Sequence, residues 1–149
     1  MIREKTIEFL IEARKPILFH TGYREGNRIV NLQRLFTRLK CPIALAHSGD
    51  LIHKDLLTAT QFENVYIDIS PLATMLERGF FVDSGRKAPE LTEITVDKIL
   101  NYLARLFGKN KVLWGSDAPW CDGLSREGYV GEVRAMKRMK ELGIGGDLI

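Results

Sequence analysis

The chain has 149 residues, of which 45% are hydrophobic and 28% charged, and its formal net charge is +3. These values are typical of one globular domain over residues 1–149. The basic residues are scattered, without the aromatic-interleaved stripe that indicates a nucleic-acid partner. No apolar run is long enough to span a membrane, and the charged N-terminus does not resemble a signal peptide. Two distant cysteines, Cys41 and Cys121, favour a reducing, cytoplasmic setting.

Hydrophobic periodicity predicts strands that alternate with helices along the whole chain. The predicted helices cover residues 2–14, 28–40, 50–62, 71–78, 95–107 and 125–142. The predicted strands cover residues 16–20, 42–47, 65–69 and 112–114, and a partly polar loop is predicted over 79–94. Asp50 is predicted to cap the third helix, which would place His53 on an exposed helical surface. This order predicts an α/β fold built from parallel strand–helix units.

Alternation along each predicted strand assigns side chains to the two faces of the sheet. In strand 65–69 the polar side chains Tyr66, Asp68 and Ser70 share one face. Alternation also places Ile43 and Leu45 on the face of His47. A sheet that becomes polar toward the carboxyl ends of its strands is typical of a barrel interior that opens into a site.

Three of the predicted strands end in a side chain that can bind metal. His20 follows the first strand, His47 ends the second and Asp117 follows the fourth. Two imidazoles and a carboxylate suit a divalent metal, Zn²⁺ above all, whose bound water ionises near neutral pH. Asp117 and His47 would then be catalytic, Asp117 as proton acceptor and His47 as a group that orients the water. Taken singly, a strand-end histidine is more often structural, and Asp117 could cap a turn.

A small-molecule substrate is the expected partner of this site. Arg24 and Arg86 lie on loops at the same end of the strands and could bind a substrate carboxylate, although solvated arginines are the commoner case. Asp68 faces the predicted interior, where it could contact the substrate or support the site through Ser70. A weaker alternative is an open α/β domain that binds a small anion at a helix N-terminus, such as the one after Ser48.

Four segments, PILFHTG, IALAHSG, NVYIDIS and VLWGSDAPW, resemble the amidohydrolase-related metal-dependent hydrolases, in the branch of the aminocarboxymuconate-semialdehyde decarboxylase-like enzymes. The resemblance runs from about Ile17 to Leu142. It implies strands five to eight of a (β/α)₈ barrel. It also implies that His20 is a metal ligand, that His47 is a ligand or catalytic group, and that Asp117 is a ligand and proton acceptor. The implied reaction is hydrolysis of a C–N or C–O bond, or decarboxylation.

The family's first four strands and their His-x-His pair have no counterpart in this sequence. The expected fold is therefore the C-terminal half of a TIM (β/α)₈ barrel, with four parallel strands and covering helices. Its inner face is predicted to be apolar at Leu18, Ile43, Leu45 and Leu113. An uncovered apolar face predicts a homo-oligomer, a complementing chain, or rearrangement into an open doubly wound sheet. The alternative function is a non-catalytic half-barrel that needs a partner chain to complete the site.

Overall fold

The computed structural model describes residues 3–22, 24–80, 89, 91–117 and 126–145. Within these ranges, four short strands form one parallel sheet in the order β1-β2-β3-β4: β1 (Ile17–Phe19), β2 (Ile43–Leu45), β3 (Val65–Asp68) and β4 (Val112–Leu113). Each strand pairs with the next strand in the chain. A doubly wound sheet reverses its strand order at a switch point, whereas a barrel does not. The sheet therefore has the order of a barrel segment, and the doubly wound alternative is wrong.

In the part of the chain that the structure describes, six α-helices connect and cover the strands: α1 (Glu4–Ala13), α2 (Gln33–Arg38), α3 (His53–Ala59), α4 (Leu72–Glu77), α5 (Val96–Phe107) and α6 (Arg126–Glu141). Helix α5 begins and ends at residues that are typical helix boundaries. The Thr95 hydroxyl accepts a hydrogen bond from the Lys98 amide at 3.3 Å, and Gly108 follows the last helical residue. No helix in the described part of the chain is long and apolar enough to cross a membrane.

The helices bury one face of the sheet. Register places Phe19, Leu45 and Ile67 side by side, and Ile67 is paired with Val112. Ile43, Leu45 and Ile67 are fully buried in a core that includes helical residues of α2, α3 and α5. The prediction that Ile43 and Leu45 share the face of His47 is therefore wrong. Strand β2 ends at Leu45 and the backbone then turns, so strand alternation does not extend to His47.

The opposite face of the sheet has no helical cover among the described residues. It carries Leu18, which is 65% exposed, and the partly exposed Ala44, Tyr66 and Leu113. An exposed leucine in the middle of a strand is unusual because such a side chain normally packs against a second layer. The prediction of an apolar inner face thus holds for Leu18 and Leu113 and is wrong for Ile43 and Leu45, which lie on the face buried by the helices.

Candidate functional site

A cavity of about 410 Å³ lies at the carboxyl ends of the strands. Residues that follow all four strands line it: His20, Thr21, Gly22, Arg24, Asn27, His47, Asp50, Pro71, Thr74, Met75, Arg78, Phe80 and Asp117. The structure thus brings His20, His47, Asp117 and Arg24, four residues singled out in the sequence, to one cavity. The carboxyl edge of a parallel sheet is where barrel enzymes carry their chemistry.

A left-handed turn directs His47 into this cavity. Residues 47–51 all have φ between 51° and 62°, a conformation that non-glycine residues rarely adopt in succession. At Gly49 in this turn, a Cβ would lie 2.6 Å from Ile29 Cδ1, so any other residue would force that buried side chain to shift. The Thr21 hydroxyl donates to the Ala46 carbonyl at 2.5 Å and ties the turn to the end of β1. Backbone strain of this kind is typical of functional sites.

The hydrogen bonds of His47 define its tautomer. Its Nδ1 lies 2.7 Å from the Ser70 carbonyl oxygen, which can only accept, so Nδ1 carries the proton. In the neutral ring Nε2 is then an acceptor, and Nδ1 of His20 donates a hydrogen bond to it at 2.9 Å. The two rings meet edge to face, with centroids 4.6 Å apart. Metal-binding histidines characteristically donate their second ring nitrogen to a carbonyl or carboxylate in this way.

The histidine pair fits a divalent metal, but the described residues do not complete a site. Two nitrogens bound to one Zn²⁺ at about 2.0–2.1 Å must lie within about 4.2 Å of each other, and these nitrogens do. Asp117 lines the same cavity in a left-handed conformation with φ of 58°. In the described ranges, however, no group of three or more His, Cys, Asp or Glu side chains is arranged to hold a metal. His20 and His47 could therefore supply two ligands, and Asp117, which lines the same cavity, is the sequence-predicted candidate for a third.

Asp68 lies behind the cavity and is not one of its lining residues. Its carboxylate accepts hydrogen bonds from the Ser70 amide, at 2.9 Å, and from the Ser70 hydroxyl. Gly115 leaves room for it, because a Cβ there would lie 2.6 Å from Asp68 Oδ2. Burial raises the pKa of Asp68 and the charge of Asp117 adds to the rise, whereas Ser70 and His47 oppose it. Asp68 is thus placed to support the site through Ser70, which also accepts from His47.

Two arginines line the cavity, together with Asp50 and Asp117. Arg24, singled out in the sequence, is joined by Arg78, which follows α4. Neither forms an ion pair within the part of the chain that the structure describes. Sequence reasoning missed Arg78 because the end of a short helix carries no motif. Arg86 lies outside the described residues.

Asp50 and His53 differ from their predicted roles. Helix α3 begins at His53, and its capping residue is Ile52, which makes no side-chain cap. Asp50 is therefore not the cap. It lines the cavity, and a Cβ at Gly22 would lie 2.8 Å from its Oδ2. His53 is half-buried, not on the exposed surface, and its Nδ1 is 2.7 Å from the Tyr102 hydroxyl.

Comparison with known proteins agrees with this architecture. A family model described as Amidohydrolase matches residues 2–142. A solved structure from Pseudomonas putida, described as a 2-pyrone-4,6-dicarboxylic acid hydrolase, is similar with a TM-score of 0.58 and 17% identity. The match covers 90% of this chain but 48% of the other, so this chain spans about half the length of that protein. No curated protein matches the sequence. Because the family match extends over nearly the whole chain, the chain belongs to the amidohydrolase family.

Proposed function

We propose that this protein is a metal-dependent hydrolase of amidohydrolase type. The observation that carries the proposal is the tautomer of His47. Its Nδ1–H donates to the Ser70 carbonyl at 2.7 Å, so Nε2 is the acceptor in its 2.9 Å hydrogen bond with Nδ1 of His20 and would face a metal once the His20 Nδ1 proton is released. A buried carbonyl that fixes one nitrogen of a histidine makes the other a better ligand. Membership of the amidohydrolase family supports the same function.

In this proposal each cavity residue has a defined role. His20 and His47 hold a divalent metal, with Zn²⁺ the first choice, and Asp117 completes their ligand set. Such a metal, when bound, supplies a water molecule that ionises near neutral pH. Asp117 would accept the proton of the water that attacks a C–N or C–O bond. His47 would act as a ligand through Nε2, because its Nδ1 is held by the Ser70 carbonyl.

The substrate that suits this cavity is a small carboxylated compound. Arg24 and Arg78 line the cavity, and guanidinium groups pair with carboxylates through two parallel hydrogen bonds. We propose Arg86 as a further contact. The similar Pseudomonas putida protein is described as a hydrolase of a dicarboxylic acid, which supports this class. The four matching sequence segments favour the aminocarboxymuconate-semialdehyde decarboxylase-like branch, in which decarboxylation would replace hydrolysis. The widely spaced cysteines favour a cytoplasmic location.

Zinc retention tests the metal site directly. Purified protein reconstituted with Zn²⁺ and desalted should keep about one zinc per chain, and H20A, H47A or D117A should lose it. His53→Ala is the matched control because it removes the third histidine of the chain, which contacts Tyr102 and not the cavity. If H20A, H47A and D117A each retain as much zinc as the wild type, this metal site is excluded.

A second candidate is a non-catalytic half-barrel whose open face binds another chain. Two observations favour it. Leu18 is 65% exposed on the uncovered face of the sheet, and the described residues offer no complete three-ligand group. We propose a second copy or a complementing chain as the cover, four strands being half of a (β/α)₈ barrel. Light scattering tests this: an assembly of two or more chains that L18E disperses would support it, and a well-behaved monomer would argue against it.

A further inference from the structure

Helix α4 lacks a cap of its own. The residue before it is Pro71, which provides no side-chain hydrogen bond to the first turn. The first amides of a helix have no partner within the helix, and a nearby Ser, Thr, Asp or Asn usually satisfies one of them. Here the acceptor comes from a residue 58 positions away. Oε1 of Glu132 in α6 accepts from the Thr74 amide at 2.9 Å.

Glu132 also reaches the exit of strand β4. Its main-chain carbonyl accepts a hydrogen bond from Trp114 Nε1 at 3.2 Å, three residues before Asp117. The neighbouring Gly131 allows α6 to approach α4 closely, because a Cβ there would lie 2.9 Å from the Ala73 Cβ. One position of α6 thus joins the two segments that follow β3 and β4.

The burial of Glu132 is energetically unfavourable in itself. The side chain is fully buried, and burial raises its pKa, with the backbone hydrogen bond of Thr74 opposing the rise. Its Oε2 and the Thr74 hydroxyl have no hydrogen-bond partner among the described residues. An apolar side chain of similar volume would avoid this penalty. Glu132 is unfavourable to bury, yet it contacts α4, which lines the cavity. This combination indicates a role in holding α4 in place.

The segment that Glu132 holds starts next to the Ser70 carbonyl, which fixes His47. The Ser70 carbonyl accepts from His47 Nδ1, and Ser70 lies two residues before the first residue of α4. Thr74, Met75 and Arg78, all in or next to α4, line the cavity. A shift of the first turn of α4 would therefore move the Ser70 carbonyl away from the imidazole.

We propose that Glu132 is a positioning residue that holds the first turn of α4, and through it the Ser70 carbonyl, in place for His47. This role is independent of the reaction, although its consequence for metal binding depends on the proposed function. Glu132→Gln keeps an acceptor for the Thr74 amide. Glu132→Ala removes it.

Amide hydrogen exchange of the full chain tests the proposal. Glu132→Ala should speed exchange over residues 72–78 by about tenfold or more, while α5 keeps its protection. Glu132→Gln should restore protection to within about threefold of the wild type. The matched control is Glu141→Ala, which removes an exposed glutamate from the same helix. Unchanged exchange over 72–78, or an equal increase in α5, would overturn the proposal. If Glu132→Ala does not fold, Glu132→Asp, one methylene too short to reach Thr74, replaces it in the same comparison.

Zinc affinity provides the second readout. If the wild type binds Zn²⁺, Glu132→Ala should weaken binding by about tenfold, Glu132→Gln should restore it, and Glu141→Ala should not change it. Unaltered zinc affinity in Glu132→Ala would refute the link from α4 to His47. A wild type that retains no zinc would sink the proposed function, yet the exchange comparison would still decide the role of Glu132.

Discussion

The loop that carries Arg24 and Asn27 into the cavity is anchored by a buried ion pair, and we expect its removal to be severe. Arg28 donates from Nε to Asp55 Oδ2 at 2.7 Å and from its terminal nitrogen to Oδ1 at 2.5 Å. The Ile29 amide donates to the same carboxylate at 3.1 Å. Asp55 in α3 therefore holds the segment that follows β1. The perturbation is Asp55→Ala.

The exposure of the two side chains determines how much of the free energy of unfolding Asp55→Ala should lose. The Asp55 side chain is 1% exposed and the Arg28 side chain 21%. Breaking a fully buried pair costs about 3–5 kcal/mol, but water can partly rehydrate Arg28, which reduces this to about 2–3 kcal/mol. The orphaned Ile29 amide, in a buried residue, adds about 1 kcal/mol. The total of about 3–4 kcal/mol is a large part of the roughly 5–15 kcal/mol that stabilises an ordinary domain.

Urea unfolding measures this loss. With a slope of about 2 kcal/mol per molar urea, Asp55→Ala should lower the midpoint by about 1.5–2 M. The matched control is Glu4→Ala, which breaks an ion pair with Arg38 whose partners are 61% and 40% exposed. It should hardly change the midpoint because exposed pairs contribute little. If Asp55→Ala lowers the midpoint no more than Glu4→Ala, the Arg28–Asp55 pair does not anchor the loop.

Two further predictions concern buried carboxylates. Gly115→Ala would place a methyl 2.6 Å from Asp68 Oδ2 and should cost about 1–3 kcal/mol in urea unfolding. Gly26→Ala, which meets nothing within 4 Å, should change stability by less than about 0.5 kcal/mol, and an equal loss in both would contradict the packing explanation. The pKa of Glu132 in the folded state is raised above its ordinary 4.5. Above pH 4.5 the native state therefore binds more protons at this residue than the unfolded state does. Its contribution to stability must then fall as pH rises from 4.5 through the raised pKa, and Glu132→Gln should flatten that part of the profile. An unchanged slope in Glu132→Gln would show that Glu132 ionises normally.

The elements could be predicted from the sequence because local signals determine them. Helix α5 is bounded by Thr95 and Gly108, and its apolar period buries Ile99, Leu103 and Phe107 as expected. The four strands are short apolar runs that lie between helical segments, so their parallel order followed directly. The observed strands are shorter than predicted since the pairing stops where the backbone leaves the sheet.

The site could be predicted only in part, because its details depend on contacts between distant residues. Strand-end placement indicated that His20, His47 and Asp117 would share a cavity, and they do. Alternation failed at His47, since it assumes a strand where the backbone is left-handed. The hydrogen bond from the Thr74 amide to Glu132 joins residues 58 positions apart, and no local sequence pattern predicts it.

The spacing of the strands explains why the two histidines are in contact while Asp117, the proposed third ligand, is not grouped with them in the described residues. His20 and His47 follow adjacent strands, so their rings meet directly. Asp117 follows β4, three strand spacings from β1, or about 14 Å across a flat sheet. Curvature of the sheet toward its inner face would bring that carboxylate closer to the histidines. A layer packed on Leu18 would favour such curvature, which would link the proposed cover of the inner face to completion of the proposed metal site. Zinc retention that rises with assembly of the chain would show the two to be coupled, and retention by a monomer would show that the sheet curves without a cover.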